Sequence, residues 1–423
     1  MPLAPRTPVL VGVAAVQQRI DDPASAREPL ALMADALERA AEDAGSGDLL
    51  SRADSIRAPR GFWDYPDPCR WLGDHFGAKN FQTQVAEVGV LQTTLFGNTA
   101  RDIANGDADV VLLTGAEAKF RTLRAQIAGV EERKSQLPPG EADVVLRPGA
   151  DIIHPLEIAT GIPMPVNQYA IIENALRAAD GQTIEEHVAE VARMWSAMSE
   201  VATRNPDAWR RDRVSADEIA TQAGKNRMLA FPYTKLHNSQ WNVDQAAGLI
   251  FCSYEAARAA GVSDDRMIYP RAVAESNFML PLSERVRVDR CRGFRIAAEE
   301  AHTLAGLRPE EVIHRELYSC FPSAVRVQLR ELGIDPLAPT TETGGMAFAG
   351  GPLNNFVLQA LVRMAQVLRD DPESAGMLNA VSGVLTKQGV SLWAARPGGA
   401  GFGLADVSEA AEAATERVDV AAD

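Results

Sequence analysis

Gly106-Asp107-Ala108-Asp109-Val110-Val111-Leu112-Leu113-Thr114-Gly115-Ala116-Glu117 decides the fold. Val110 to Leu113 is apolar at every position, without polar alternation, the pattern of a strand covered on both faces. Thr93 to Asn105, just before it, is a helix candidate rich in small residues, and Gly106 suits the left-handed turn that ends a helix. A helix followed at once by a doubly covered strand points to a layered α/β architecture.

Toward the N-terminus, Val9 to Val13 reads as a buried strand. Leu30, Met33, Leu37 and Ala41 then recur at helical spacing, with Ser25 and Glu28 framing the start and Gly45 closing the end. Downstream the character changes. From Lys119 to Gln240 there are many prolines, charge runs such as Glu131-Glu132-Arg133-Lys134, and two polar amphipathic helices, one containing Ile184 to Met198. This stretch reads as an insertion lying over the core. Ala247 to Phe251 is again a buried strand, Ile296 to Ala305 is helical, and Val312 to Leu317 reads as a strand. Phe356 to Leu368 is apolar almost all round and predicts a buried helix. In the tail, Gly399-Ala400-Gly401-Phe402-Gly403 reads as a flexible linker, because no helix pattern follows to receive a phosphate. Ser408 stands where it could cap a short helix.

The chain has 423 residues and a net charge of −15, and so acidic a protein repels phosphate backbones, which argues against a nucleic-acid partner. An anionic ligand would need a local gathering of cations. Lys119, Arg121 and Arg124 are one candidate, and the alternative is that they only solvate a helix. Cys69, Cys252, Cys291 and Cys320 form no C-x-x-C pair and no metal-site spacing, so no metal is expected and a reducing compartment suits them. No apolar run reaches the ~18 residues of a spanning helix, and the N-terminus does not read as a signal peptide. The expectation is a cytoplasmic protein with no membrane partner. A Walker loop, a G-x-S-x-G elbow and an H-E-x-x-H motif are all missing.

Four segments carry a resemblance, in order. Gly106 to Glu117 resembles the thiolase strand that ends in Gly-Gly-x-Glu. Pro232-Tyr233-Thr234-Lys235-Leu236 through Asp244-Gln245-Ala246-Ala247 is similar to the P-Y-T-K-L and S-D-G-A-A segments of sterol-carrier-type thiolases. Leu317-Tyr318-Ser319-Cys320-Phe321 stands in the place of H-D-C-F, and Gly344 to Leu353 in the place of G-G-x-x-x-x-G-H-P-x. Glu173-Asn174-Ala175-Leu176-Arg177, Asn354-Asn355 and Leu385-Thr386-Lys387 look like the subgroup called thiolase-like proteins of type 1, often labelled acetyl-CoA acetyltransferases. The resemblance implies a five-layered α/β/α/β/α fold of two similar halves, with the Thr93 and Phe356 helices in the middle layer. It divides the chain into an N-terminal half (1–118 and 242–262), an inserted loop domain (119–241), a C-terminal half (263–396) and a flexible tail or linker (397–423). It also implies an acyl-CoA or CoA ligand, no cofactor beyond that coenzyme A, and a homo-oligomer by analogy. Members of the type 1 subgroup continue into a small C-terminal domain, so the chain is expected to need another polypeptide or a further segment.

A thiolase holds its cysteine nucleophile at the N-terminus of the first buried helix, where the helix end lowers the thiol pKa. Counting back from Gly106 puts that position at Gly89, or at Val90 with one gap, and no cysteine lies between Cys69 and Cys252. The histidine of G-H-P becomes Gly351. Without nucleophile and base, the ordinary acyl-enzyme route is excluded. Two glycines there are expected to leave empty space, facing each other across one pocket. Cys320 takes the place of the second, proton-shuttling cysteine, with packing as the alternative. Tyr318 takes the histidine place that helps form an oxyanion hole. His237 is a candidate acid/base group, and Gly89, Gly351, Asn354 and Lys387 are candidate substrate-binding positions. Gln388 replaces the histidine expected in type 1. Two functions stay open: acyltransferase-related or carbon–carbon chemistry on an acyl-CoA by an altered mechanism, or an inactive acyl-CoA holder or scaffold. A pocket at Cys320 plugged by Phe348 and Leu91 would favour the second.

Overall fold

The computed structural model describes residues 3–418. Residues 419–423, the end of the tail read above as a linker, lie outside the described residues.

Two sheets carry the molecule. The first is built from β1 (Pro8–Gln18), β2 (Ser55–Pro59), β3 (Gln82–Ala86), β4 (Val110–Ala118) and β5 (Val144–Leu146). A two-stranded pair, β6 (Met228–Ala230) and β7 (Tyr233–Thr234), precedes the last strand of that sheet, β8 (Asp244–Ser253). Its order is β1-β8-β4-β2-β3-β5. The second sheet uses β9 (Tyr269–Ser276), β10 (Val312–Glu316), β11 (Ala375–Ser382), β12 (Lys387–Ala394) and β13 (Gly403–Asp406), in the order β10-β11-β12-β9-β13.

Strand β4 is buried throughout. Its Val110 and Leu112 join an outer core with Leu30, Met33 and Leu37, while Val111 and Leu113 join a central one. That central core lies between the sheets and contains Leu95, Phe96 and Ile103 of the helix Gln92–Asn105 and Phe356, Leu361 and Leu368 of the helix Phe356–Asp370, with Trp393 of β12. The helix Pro29–Ala44 covers the outer face of the first sheet, and Gly293–Ala305 with Pro322–Leu332 covers that of the second. Helix, sheet, helix pair, sheet and helix make five layers. The outer helix sits with its backbone against the first sheet: a side chain at Gly12 would fall 2.2 Å from the Ala40 carbonyl, and one at Gly248 2.3 Å from the Ala36 carbonyl.

The stretch read as an insertion over the core is woven into it. It lends β5 to the edge of the first sheet, pairing parallel with β3. The sheet edge on that side is therefore a strand of 3 residues, a poor template for a second copy. The helix Ile184–Arg204 packs Trp195 and Met198 against Leu317, Val325 and Phe348 of the C-terminal half. The described part of the tail is no linker. Gly403–Asp406 forms β13, pairing parallel with β9, and the helix Ser408–Ala413 follows. Ser408 does not cap that helix through its side chain; its hydroxyl instead accepts from the Asn277 amide at 2.8 Å.

Candidate functional site

The two central helices begin close together and are stapled. Gln92 Nε2 donates to Asn354 Oδ1 at 3.1 Å, and Asn354 Nδ2 donates to the Arg60 carbonyl at 2.7 Å. Asn354, a predicted substrate-binding residue, thus joins the first turn of one helix to the approach of the other. The first turn of the Gln92 helix also faces a carboxylate: Thr93 and Thr94 each donate a hydroxyl at 2.8 Å to Glu275 of β9. A negative group is at home at a helix start. Burial raises the Glu275 pKa, and the two threonines oppose it. Lys387, buried on β12, donates to the Gly89 carbonyl at 2.6 Å. Burial lowers its pKa, and Glu275 opposes that shift. Lys387 therefore ties β12 to the loop that carries Gly89.

Neither Gly89 nor Gly351 faces empty space, which corrects the expectation above. A side chain at Gly351 would fall 1.9 Å from Ser239 Oγ, so Ser239 fills that place. The Ser239 segment is held in a clamp: Ser239 N donates to the Cys320 carbonyl at 3.3 Å, Gln240 N to the Met346 carbonyl at 3.0 Å, and Gly351 N to the Gln240 carbonyl at 2.8 Å. At Gly89, φ is 102°, a conformation that suits glycine, and a side chain would meet Pro148 at 3.0 Å and Ile152 at 3.4 Å. The neighbours of the two glycines differ, one set from the insertion near 150 and the other from the segment near 240.

Three protonated groups gather beside this clamp. Tyr318 and Cys320 follow β10 and are half-buried, and Tyr169 comes from the insertion helix Pro165–Ala179. Burial pushes the Cys320 thiol up to about 12, with the nearby Tyr169 hydroxyl pulling the other way. Burial raises the Tyr169 and Tyr318 hydroxyls too, and nearby Cys320 adds to both shifts. At neutral pH all three hold their protons. The backbone is set by Gln328, which accepts from Tyr318 N at 3.1 Å and donates to the Tyr318 carbonyl at 2.9 Å. Tyr169 stacks on Phe321 with ring centres 4.6 Å apart. Phe348 and Leu91 are fully buried in separate cores, and Tyr318 and Cys320 pack against the one that contains Leu91.

His237 is not poised as a base. Its Nδ1 accepts from Thr234 N at 3.1 Å, the ring is buried, and burial lowers its pKa to about 4. The candidate cation group also dissolves. Arg121 is buried and donates to the Pro23 and Arg133 carbonyls, Arg124 pairs with Asp21, and Lys119 lies over Phe62 and Trp241. Two other histidines are held by carboxylates: His187 bonds Glu173 at 2.9 Å, and His314 bonds both Glu342 and Asp371. Sequence reasoning missed Tyr169, Ser239 and Glu275. Tyr169 stands four residues before Glu173 of a quoted motif, the one signal that could have drawn it in.

No family model matches the chain. It is 25% identical to the acetyl-CoA acetyltransferase of Methanocaldococcus jannaschii, over 60% of this chain and 71% of that one. It is similar to the solved monomeric SCP2-thiolase like protein type 1 of Mycobacterium smegmatis, with TM-score 0.82 and 26% identity over 99% of this chain and 84% of that one. The solved Ltp2-ChsH2(DUF35) aldolase shares the fold at TM-score 0.71 and 18% identity, over 93% of this chain and 99% of that one. Five layers and these likenesses together show that the chain has a thiolase-like fold.

Proposed function

We propose that this protein binds an acyl-CoA-type thioester and makes or breaks a carbon–carbon bond next to its carbonyl, without an acyl-enzyme. The observation that carries this reading is the set of protonated donors on Tyr318, Cys320 and Tyr169. Cleaving the Cα–Cβ bond of a β-hydroxyacyl thioester turns the β-hydroxyl into a carbonyl as its proton passes to water, and leaves the electron pair on Cα as an enolate with negative charge on the thioester oxygen until Cα takes a proton back. Neutral O–H and S–H donors stabilise such an oxygen, and a thiol pushed up to about 12 is no nucleophile at neutral pH. The description of the Ltp2-ChsH2(DUF35) neighbour as an aldolase supports the same reaction class, and its second component supports a protein partner for this chain.

The test is product analysis by mass spectrometry with β-hydroxyacyl-CoA and acetoacetyl-CoA, each with and without added CoA. Cleavage of the hydroxyacyl thioester with no thiolysis is the expected result. Thiolysis of acetoacetyl-CoA that disappears in Cys320→Ala would overturn it. A second reading, an acyl-CoA holder without chemistry, is favoured by the filling of both former catalytic positions by Ser239, Pro148 and Ile152. It predicts saturable CoA-thioester binding and no product.

A further inference from the structure

Away from the clamp, β12 turns a different set of residues toward the outer helices. Lys387 points to the central layer, and its neighbour Gln388 points to the start of the Gly293–Ala305 helix, where a side chain at Gly293 would fall 2.2 Å from Gln388 Oε1. A cavity of about 70 Å³ opens here, lined by Arg285, Arg292, Gly293, Thr386, Gln388 and Glu416 among others. A water needs roughly 10–15 Å³ measured this way, so the space takes a larger group.

The charge in this cavity is unbalanced at its deepest point. Arg285 is 8% exposed, and its guanidinium donates to the carbonyls of Leu280 and Gly383. Among the described residues no carboxylate lies within ion-pair distance of it. The flanking arginines differ: Arg287 pairs with Asp289 at 2.8 Å and Arg290 with Glu331 at 2.6 Å. Arg292 is exposed at the rim and has no ion pair among the described residues. A buried cation without a partner is costly, and here burial lowers the Arg285 pKa to about 10, with Cys291, Tyr169 and Glu157 partly opposing. Arg292 also stands as N-cap of the Gly293 helix with no side-chain cap; Phe294 N donates to the Cys291 carbonyl at 3.0 Å, and the other N–H groups of the first turn of this 13-residue helix start at the same cavity. A second group lacks a partner: Gln388 Oε1 is buried and accepts from nothing. Its amide nitrogen is committed to the Thr386 carbonyl and Cys291 Sγ, which holds the oxygen in place.

We propose that this cavity binds a phosphate group, with Arg285, Arg292 and the start of the Gly293 helix holding its oxygens and Gln388 Oε1 accepting from its hydroxyl. A monoprotonated phosphate matches all four elements, because it is an anion with several acceptors and one donor. A carboxylate offers no donor to Gln388, and a neutral group leaves Arg285 unpaired. Glu416, the one carboxylate on the cavity wall among the described residues, lies on the segment 411–416 that lines it. The site does not depend on the proposed carbon–carbon chemistry. The phosphate can be a free ion or part of a larger molecule such as CoA.

The probe is inorganic phosphate, titrated by calorimetry against chloride at matched ionic strength. Saturable binding at one site is expected for the intact chain. Arg292→Ala is expected to weaken it about tenfold or more, the scale of one charge-assisted contact. Gln388→Glu, which puts a carboxylate against the ligand, is expected to abolish it. Both variants are checked for an unchanged circular-dichroism spectrum, and Arg285→Met is used only if it passes that check. CoA that competes with phosphate, with 3′-dephospho-CoA competing less well, names the nucleotide phosphate as the source. CoA that binds alongside phosphate names the free ion. Absence of saturable phosphate binding, or equal binding by folded Arg292→Ala and Gln388→Glu, overturns the proposal.

Discussion

Glu117 offers a test of the site's electrostatics with its magnitude set by the structure. It ends the motif that decides the fold, lies almost wholly buried, and accepts one hydrogen bond, from the Phe62 amide at 2.9 Å. Burial raises its pKa from 4.5 to about 7, with the Phe62 bond and Lys119 opposing. For an acid whose folded pKa is raised, the folded state keeps the proton that the unfolded state has lost between pH 4.5 and 7. Stability therefore falls as pH rises through that window. A shift of ~2.5 units at 1.36 kcal/mol each makes the deficit ~3 kcal/mol above pH 7. Glu117→Gln keeps an acceptor for Phe62 and removes the ionisation. The variant should match the parent below pH 4.5 and exceed it by up to ~3 kcal/mol at pH 8. For a cooperative unit of this size that is a rise of roughly 3 °C in melting temperature. Thermal unfolding of both proteins from pH 4.5 to 8 measures it. A difference that does not change with pH, or a less stable variant at pH 8, would refute the reasoning.

Other perturbations probe the surrounding structure. Gly351→Ala should destabilise by ~1–3 kcal/mol through overpacking against Ser239, and Ser239→Ala should relieve most of that cost; a double-mutant cycle in urea would disprove the contact by coming out additive. Glu173 is buried and bonded by Arg326 at 2.6 Å, Tyr233 at 2.7 Å and His187 at 2.9 Å. Glu173→Ala should therefore cost about 3–5 kcal/mol in unfolding assays, as breaking a buried ion pair does. The His314 pKa is raised, first by Glu342 and further by Asp371, so its stabilisation is fully present below the ordinary histidine pKa and lost as pH rises through the raised value. His314→Gln should remove that loss, seen as a smaller fall in melting temperature from pH 6 to 8. Gly248→Ala should disrupt the Pro29–Ala44 helix packing severely, because a methyl there meets backbone at 2.3 Å; a variant as stable as the parent would be the contrary result.

Local patterns carried much of the architecture. The unbroken apolar runs of β4 and β8 and the all-round apolar Phe356 helix read correctly, because being covered on both sides leaves its mark on each residue of the segment. Such a pattern needs no knowledge of the neighbour. The lack of a cysteine between Cys69 and Cys252 is equally independent of folding.

What could not be read depended on distant partners. Strand β5 is 3 residues long and β13 is 4, too short for any periodicity, and each exists because β3 or β9 offers an open edge. Gly351 reads as empty space in the sequence and is filled by Ser239, 112 positions earlier; Gly89 is closed by Pro148 and Ile152. His237 reads as reactive until its Nδ1 is seen bonded to Thr234. Tyr169 beside Cys320, Glu275 at the Gln92 helix and Arg285 without a carboxylate follow the same rule. Composition and periodicity determined which segments are inside and how they are layered. Only the tertiary structure decided which side chains meet at the site, because burial is a property of a segment while a contact is a property of two.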